Sequence, residues 1–385
     1  MPIILPIFTA LALAFAPATW RVVPTADRAG QAEDFLQATS AVTADDVWAV
    51  GHDAGAQTGG LDRTLAEHWN GGSWQIVATP NPDGDSDLLG VAALTRTDVW
   101  AVGLSRPTLN TLVPLVEHFD GTSWSVVPVP SPNPDPPTGS GQFTELTAVS
   151  AVSPSDVWAT GWFNDNRGRI VPLFEHWNGT AWRIVAPPAQ GRTARLLPRA
   201  ISARAADDVW AVGTDNTSTE IVRTFSLHWN GKVWSVVPTV NPIPGAANAL
   251  SAVVAIAPNN VWAVGDGGAN NATDVPLIEH FDGHSWTNAV PANAKLPSRL
   301  FGIVARSAGD IWAVGDQHPS PAGLGTTMIQ HFTGTAWTAV PAPGPAGSAL
   351  AGVSTVAGNA WAVGTRGAPN GSCCIRTLAL QTAMA

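Results

Sequence analysis

The chain has 385 residues with a net charge of −10, and carries 37 Gly, 32 Pro, 18 Trp and no Tyr. Only 12% of its residues are charged, and Lys232 and Lys295 are its two lysines, so the acidic balance argues against nucleic acid or anionic lipid as partners. With 45% hydrophobic residues it holds too much apolar material to stay a solvated coil.

In chain order, the first feature is an apolar run from Ile3 to Ala16, followed by the small-residue pattern Ala16-Pro17-Ala18. The run is shorter than the ~20 residues that a membrane-spanning helix needs. No Lys or Arg precedes it, yet it fits a processing signal better than an anchor. The expectation is a signal peptide over residues 1–18, export to a secreted or cell-surface location, and no membrane insertion.

From there the chain repeats. Asp46-Val47-Trp48-Ala49-Val50-Gly51 returns around Trp100, Trp158, Trp210, Trp262, Trp312 and Trp361, which makes seven copies. A second motif, Glu-His-Trp-Asn-Gly-Gly-Ser-Trp at 67–74, returns at 117–124, 175–182, 227–234, 279–286 and 330–337, which makes six. The missing piece lies at the other end of the chain. Thr19-Trp20-Arg21-Val22-Val23-Pro24 matches the tail of the second motif, and Arg376-Thr377-Leu378-Ala379 matches its lead-in, Arg63-Thr64-Leu65-Ala66.

Each unit reads as four short strands. An alternating strand such as Leu146–Ala151 comes first. An Asx-containing turn follows, where Asp46, Asp98, Asp156, Asp208, Asn260, Asp310 and Asn359 are expected to bond to their own turn backbone. The V-W-A-V run is apolar on both faces, as in a strand buried between two sheets. The third and fourth strands meet at an Asn-Gly or Asp-Gly hairpin. The expected fold is all-β: a seven-bladed β-propeller of four-stranded antiparallel blades, one domain over residues 19–385, with the ring closed by an N-terminal strand that completes the C-terminal blade.

On these motifs the chain resembles the secreted bacterial seven-bladed propellers built on DVWAVG and EHWNGxxW repeats. It is similar in outline to propeller lectins of the fucose-binding kind and to Asp-box propellers, although the Asp box, S-x-D-x-G-x-x-W, is not matched. The resemblance implies a binding funnel rather than a particular chemistry. Sialidase chemistry needs a tyrosine nucleophile, and the chain has no tyrosine.

Six histidines, His68, His118, His176, His228, His280 and His331, recur at one slot and so read as scaffold. Function is expected where the repeats lose register, in the loops between second and third strands and in the linkers between blades. The candidate ligand-binding residues there are His52, Asp53, Arg106, Trp162, Asp165, Arg167, Asp215, Asp266, Asp316, His318 and Arg366. Trp162 reads as a lone loop aromatic that could stack on a sugar or pack over the funnel mouth. Carboxylates such as Asp53, Asp165, Asp215, Asp266 and Asp316 would serve an acid–base enzyme if two of them converged. His52, Asp53, Asp316 and His318 are the conceivable metal set, although no metal or cofactor is assigned. The stretch 266–274 is rich in oxygen ligands but lacks calcium-loop spacing. Cys373-Cys374 is either a vicinal disulfide or two thiols.

The reading is a monomeric, exported, non-catalytic propeller that binds a glycan or cell-surface polymer, or else a protein. The alternatives are a polysaccharide-acting hydrolase or lyase and a protein-interaction scaffold.

Overall fold

The computed structural model describes residues 19–27, 33–54, 61–82, 84–132, 142–165, 167–189, 195–216, 221–269, 273–289, 291, 297–318, 324–356, 358–367 and 375–383. The expected signal peptide and Cys373-Cys374 lie outside these residues. Among the described residues every regular element is a strand, and no helix is long and apolar enough to cross a membrane.

Strand β1 (Thr19–Val23) opens the chain. The first full unit is β2 (Glu33–Thr43), β3 (Asp46–Ala54), β4 (Asp62–Trp69) and β5 (Trp74–Val77). The second is β6 (Asp85–Thr95), β7 (Asp98–Thr108), β8 (Thr111–Phe119) and β9 (Trp124–Val126), and the third is β10 (Gln142–Ser153), β11 (Asp156–Asn164), β12 (Ile170–Trp177) and β13 (Trp182–Ile184). Then come β14 (Leu196–Ala205), β15 (Asp208–Asp215), β16 (Arg223–Trp229) and β17 (Trp234–Val237), followed by β18 (Ala247–Ala257), β19 (Asn260–Gly268), β20 (Val275–Phe281) and β21 (Trp286–Asn288). The last strands are β22 (Ser298–Ser307), β23 (Asp310–Gln317), β24 (Thr326–Phe332), β25 (Trp337–Val340), β26 (Ala349–Val356), β27 (Asn359–Gly367) and β28 (Ile375–Ala383).

These strands form five four-stranded sheets and one eight-stranded sheet, in which the units of β6–β9 and β10–β13 are joined. The joint is a short parallel bridge between Gln142-Phe143 and Thr111-Leu112. Strand β1 pairs antiparallel with β28 from Thr19↔Ala383 to Val23↔Ala379, so the sheet of β26, β27 and β28 takes its fourth strand from the start of the chain.

One aromatic contact links each unit to the next. The tryptophan of every V-W-A-V strand meets, edge to face, the tryptophan that opens a neighbouring fourth strand, as in Trp48–Trp124, Trp100–Trp182 and Trp361–Trp74. Trp312 meets Trp20 in the same way, at 5.5 Å and 74°, so β1 supplies the aromatic as well as the strand. The apolar core is accordingly a set of clusters between sheets. Trp69 and Trp74 of the first unit, for example, pack with Val23, Trp361 and Val363 of the last.

The recurring histidines are structural. Each Nε2–H donates to the Asx at the start of the second strand, from 2.7 Å in His68–Asp46 to 3.0 Å in His280–Asn260. The ring stacks on the unit's own tryptophan, most closely in Trp312–His331 at 3.8 Å. This corrects the expectation for the Asx row. Asp46 and its equivalents are the first residues of the strand; six of them accept from the recurring histidines, and Asp156, Asp208, Asn260 and Asp310 also accept from an indole N–H. Backbone capping falls instead to the hairpin Asx, as where Asp120 accepts from the N–H groups of Thr122 and Ser123. Gly121 beside it has φ +93°, a conformation that side chains disfavour.

The glycine closing each DVWAVG motif has a different reason. A Cβ on Gly51 would lie 1.9 Å from the carbonyl oxygen of Phe35, and one on Gly161 would lie 1.9 Å from that of Glu145. Only glycine lets the first strand bulge so close to the second. The residue whose carbonyl approaches is the one just before a recurring buried leucine, as in Phe35 before Leu36.

Candidate functional site

That register position is where the repeats stop repeating. In the first strands it holds Phe35, Asp87, Glu145, Leu197, Ala249, Arg299 and Ala349. Opposite them on the second strands lie His52, Leu104, Trp162, Thr214, Asp266, Asp316 and Thr365. Antiparallel pairing puts both sets at one end of their sheets, with the second-to-third loops. The first strands of successive units also lie side by side, from β2 on to β26 and from β26 back to β2. Charged side chains from different sheets therefore meet.

The meeting side chains form an arc. Asp87 and Glu145 are close enough for the charge of one to act on the other, and the charge of Arg199 acts on both Glu145 and Asp266. Burial pushes the Glu145 carboxyl up, against the pull of the Trp162 N–H and Arg199. Burial, reinforced by Asp274, pushes Asp266 up to about 6, against Arg299 and Arg199. Beyond Asp266 the guanidinium of Arg299 holds Asp316 through two hydrogen bonds of 3.1 and 2.7 Å and lies 5.2 Å over the Phe301 ring. The ring of His318 sits 3.4 Å from Asp316. At the other end of the arc, His52 stacks on Phe35 with centroids 4.6 Å apart and faces Asp87 across 3.6 Å.

The expected site residues divide sharply. His52, Trp162, Asp266, Asp316 and His318 belong to this arc, and Arg106 acts on its Asp62 and Asp87. Trp162 is not in a loop. It lies in β11 opposite Glu145, and its indole N–H donates to Glu145 Oε1 at 2.6 Å. Asp165 is spent on its own turn, accepting from the N–H groups of Arg167 and Arg169 and pairing with the Arg169 side chain at 2.6 Å. Arg167 is exposed at that turn. Arg366 donates to the Thr377 carbonyl and to Asp27, bracing the β27–β28 sheet against the chain that follows β1. Asp53 is buried in register with Arg63, and Asp215 is in register with Arg223. The metal set His52, Asp53, Asp316 and His318 is not assembled, because the first two belong to the β2–β5 sheet and the others to the β22–β25 unit.

Asp87, Glu145, Arg199 and Arg299 lie in first strands, outside the loops and linkers where the sequence places function, and Asp62 opens a third strand. The signal for three of them is the variable position before a leucine that recurs in six of the seven first strands, with Pro198 in its place in the other.

No family profile matches the chain, and no curated protein matches it. Solved structures do. YCF48 bound to D1 peptide shares 15% identity at a TM-score of 0.55, covering 97% of both chains. YCF48 from Cyanidioschyzon merolae shares 13% at 0.54, over 95% of this chain and 98% of that one. An ulvan lyase with bound saccharide, from a polysaccharide lyase family, shares 9% at 0.55, over 91% and 95%. These are β-propellers. At such identities the likeness is one of fold, and it carries no residue of their sites to this chain.

Proposed function

We propose that the chain is an exported, non-catalytic, seven-bladed propeller that binds a glycan or cell-surface polymer at the variable end of its strands. The ring reading is supported by β1 completing the last sheet and by Trp20 standing where other units place their own tryptophan. The binding reading rests on one observation: Asp87, Glu145 and Arg299 hold the one register position that the repeats leave free, with Asp266 opposite it and Arg199 two residues further along its strand. Carboxylates accept from neighbouring hydroxyl groups and guanidiniums donate to them, and the partial burial of Asp87, Glu145 and Asp266 strengthens the bonds they accept. Trp162, Phe35 and Phe301 add apolar faces beside them.

A glycan array probed with residues 19–385, with and without calcium, tests this reading. Reproducible binding to polyhydroxylated ligands is the expected result, and a blank from demonstrably folded protein would overturn it.

A second reading has its own support. Asp266, with its carboxyl held near 6 and Asp274 beside it, is suited to proton transfer at neutral pH. A polysaccharide hydrolase or lyase would then release reducing ends or unsaturated products, and Asp266→Asn would abolish that release. If no product forms from any bound polymer, the enzyme reading falls.

A further inference from the structure

At one end of the arc, three side chains point potential metal-ligand atoms at a common centre. His52 Nδ1 and one oxygen each of Asp62 and Asp87 lie within 4.8 Å of one another. They come from two adjacent sheets: His52 lies near the end of the V-W-A-V strand β3, Asp62 begins β4, and Asp87 lies in β6 of the next unit.

The closest pair is diagnostic. His52 Nδ1 and Asp87 Oδ1 are 3.6 Å apart, too far for a hydrogen bond. Both atoms are shielded from solvent, and neither has a hydrogen-bond partner. Leaving buried polar atoms unpaired in this way is costly, and native proteins rarely do so without a reason. Two ligands of one ion at about 2.1 Å sit roughly 3.4 Å apart in tetrahedral geometry, so the observed gap matches the edge of a coordination polyhedron. The imidazole cannot easily turn away, because its ring is stacked on Phe35 at an interplanar angle of 20°.

The surroundings favour a cation. The charges of Asp85 and Asp53 both act on Asp62, with His52 and Arg106 as the opposing charges. The Asp62 backbone N–H donates to Asp85 Oδ1 at 3.0 Å, fixing the start of β4 where its side chain meets the others.

We propose that His52, Asp62 and Asp87 form a binding site for a divalent transition-metal ion of the zinc or cobalt class. One imidazole with two carboxylates suits such ions, whereas calcium prefers six to eight oxygen ligands. Three protein ligands leave at least one coordination position open. The inference stands apart from the polymer reading, because it is tested with metal alone.

Chelator-stripped full chain is titrated with Co2+, followed by visible absorption, and with Zn2+, followed by calorimetry. One site per chain is expected, with affinity falling at least tenfold in His52→Ala and in Asp87→Asn. Asp62→Asn, at the solvent edge of the cluster, gives the same loss with the least risk to folding, and near-UV circular dichroism confirms that each variant is folded. His284→Ala, on an exposed hairpin turn 3.9 Å from Asp282, leaves the site intact. Absence of binding, or binding that survives all three ligand variants, overturns the proposal; so does binding lost in His284→Ala.

Discussion

At one end of the strands, Trp48, His68 and Asp46 form a stacked, hydrogen-bonded triplet that recurs with little change from unit to unit. At the other end, the positions just past the same tryptophan strand hold His52, Leu104, Trp162, Thr214, Asp266, Asp316 and Thr365, five different residue types on one backbone geometry. Both ends contain histidine, tryptophan and aspartate, so residue type alone does not separate scaffold from site. What separates the histidines is their partners. The repeated histidines have their Asx partner and their stacking surface, whereas His52 and Asp87 have facing atoms with nothing to bond to.

The largest expected effect lies at the repeated end. If β1 truly substitutes for a fourth strand, Trp20→Ala should cost as much as Trp182→Ala, about 3–5 kcal/mol each, because both truncate a buried tryptophan packed edge to face on a neighbour. Urea unfolding measures both. A loss below about 1 kcal/mol for Trp20→Ala alone would break the equivalence and the ring reading with it.

Next comes a pH effect that the repeats also carry. Glu117 and Glu175 sit fully buried on the third strands, neither with a hydrogen bond to its carboxyl oxygens, and burial alone pushes each up to about 8. Glu67 and Glu279 reach the same value by burial, against backbone donors at Ala26 and Val240 of adjoining units. A carboxyl whose folded pKa lies above its ordinary 4.5 stabilises the fold in its protonated form. That contribution is complete below about 4.5, declines by about 1.4 kcal/mol per pH unit per group as the pH rises toward 8, and then levels off. The urea midpoint should therefore be higher at pH 5 than at pH 8.5, and Glu175→Gln should flatten part of the slope. Parallel pH curves for wild type and variant would contradict this assignment.

The smallest effect is at the variable end. Trp162→Phe removes the N–H that Glu145 accepts and should cost only about 1–2 kcal/mol, because the residue is half-buried and outside the repeated aromatic contacts. A loss as large as that of Trp20→Ala would make Trp162 scaffold and blur the contrast between the two ends.

The strands and their order were legible because two signals agree along the chain: alternation where one face is exposed, and unbroken V-W-A-V where both are covered. The split unit could also be read, since Trp20 and Leu378 each match half of a motif. The site was only partly legible. His52, Asp266 and Asp316 follow a recurring glycine and so stand out, but Asp87, Glu145 and Arg299 occupy ordinary strand positions on different sheets. Their convergence depends on how closely successive first strands approach, and that distance is set by the packing of one unit on the next. Local pattern misplaced Trp162 for the same reason: polar neighbours suggest a loop, while pairing with Glu145 and Pro172 extends the strand past it.

The most direct test of the contrast is a pair of single substitutions measured against one polymer that the wild-type protein binds. Arg199 stands within the arc, and Arg183 lies exposed on the fourth strand β13, away from it. Titration calorimetry should show Arg199→Ala weakening binding tenfold or more while Arg183→Ala leaves it within twofold. Equal affinities for the two variants, or a loss confined to Arg183→Ala, would place recognition elsewhere and contradict the account.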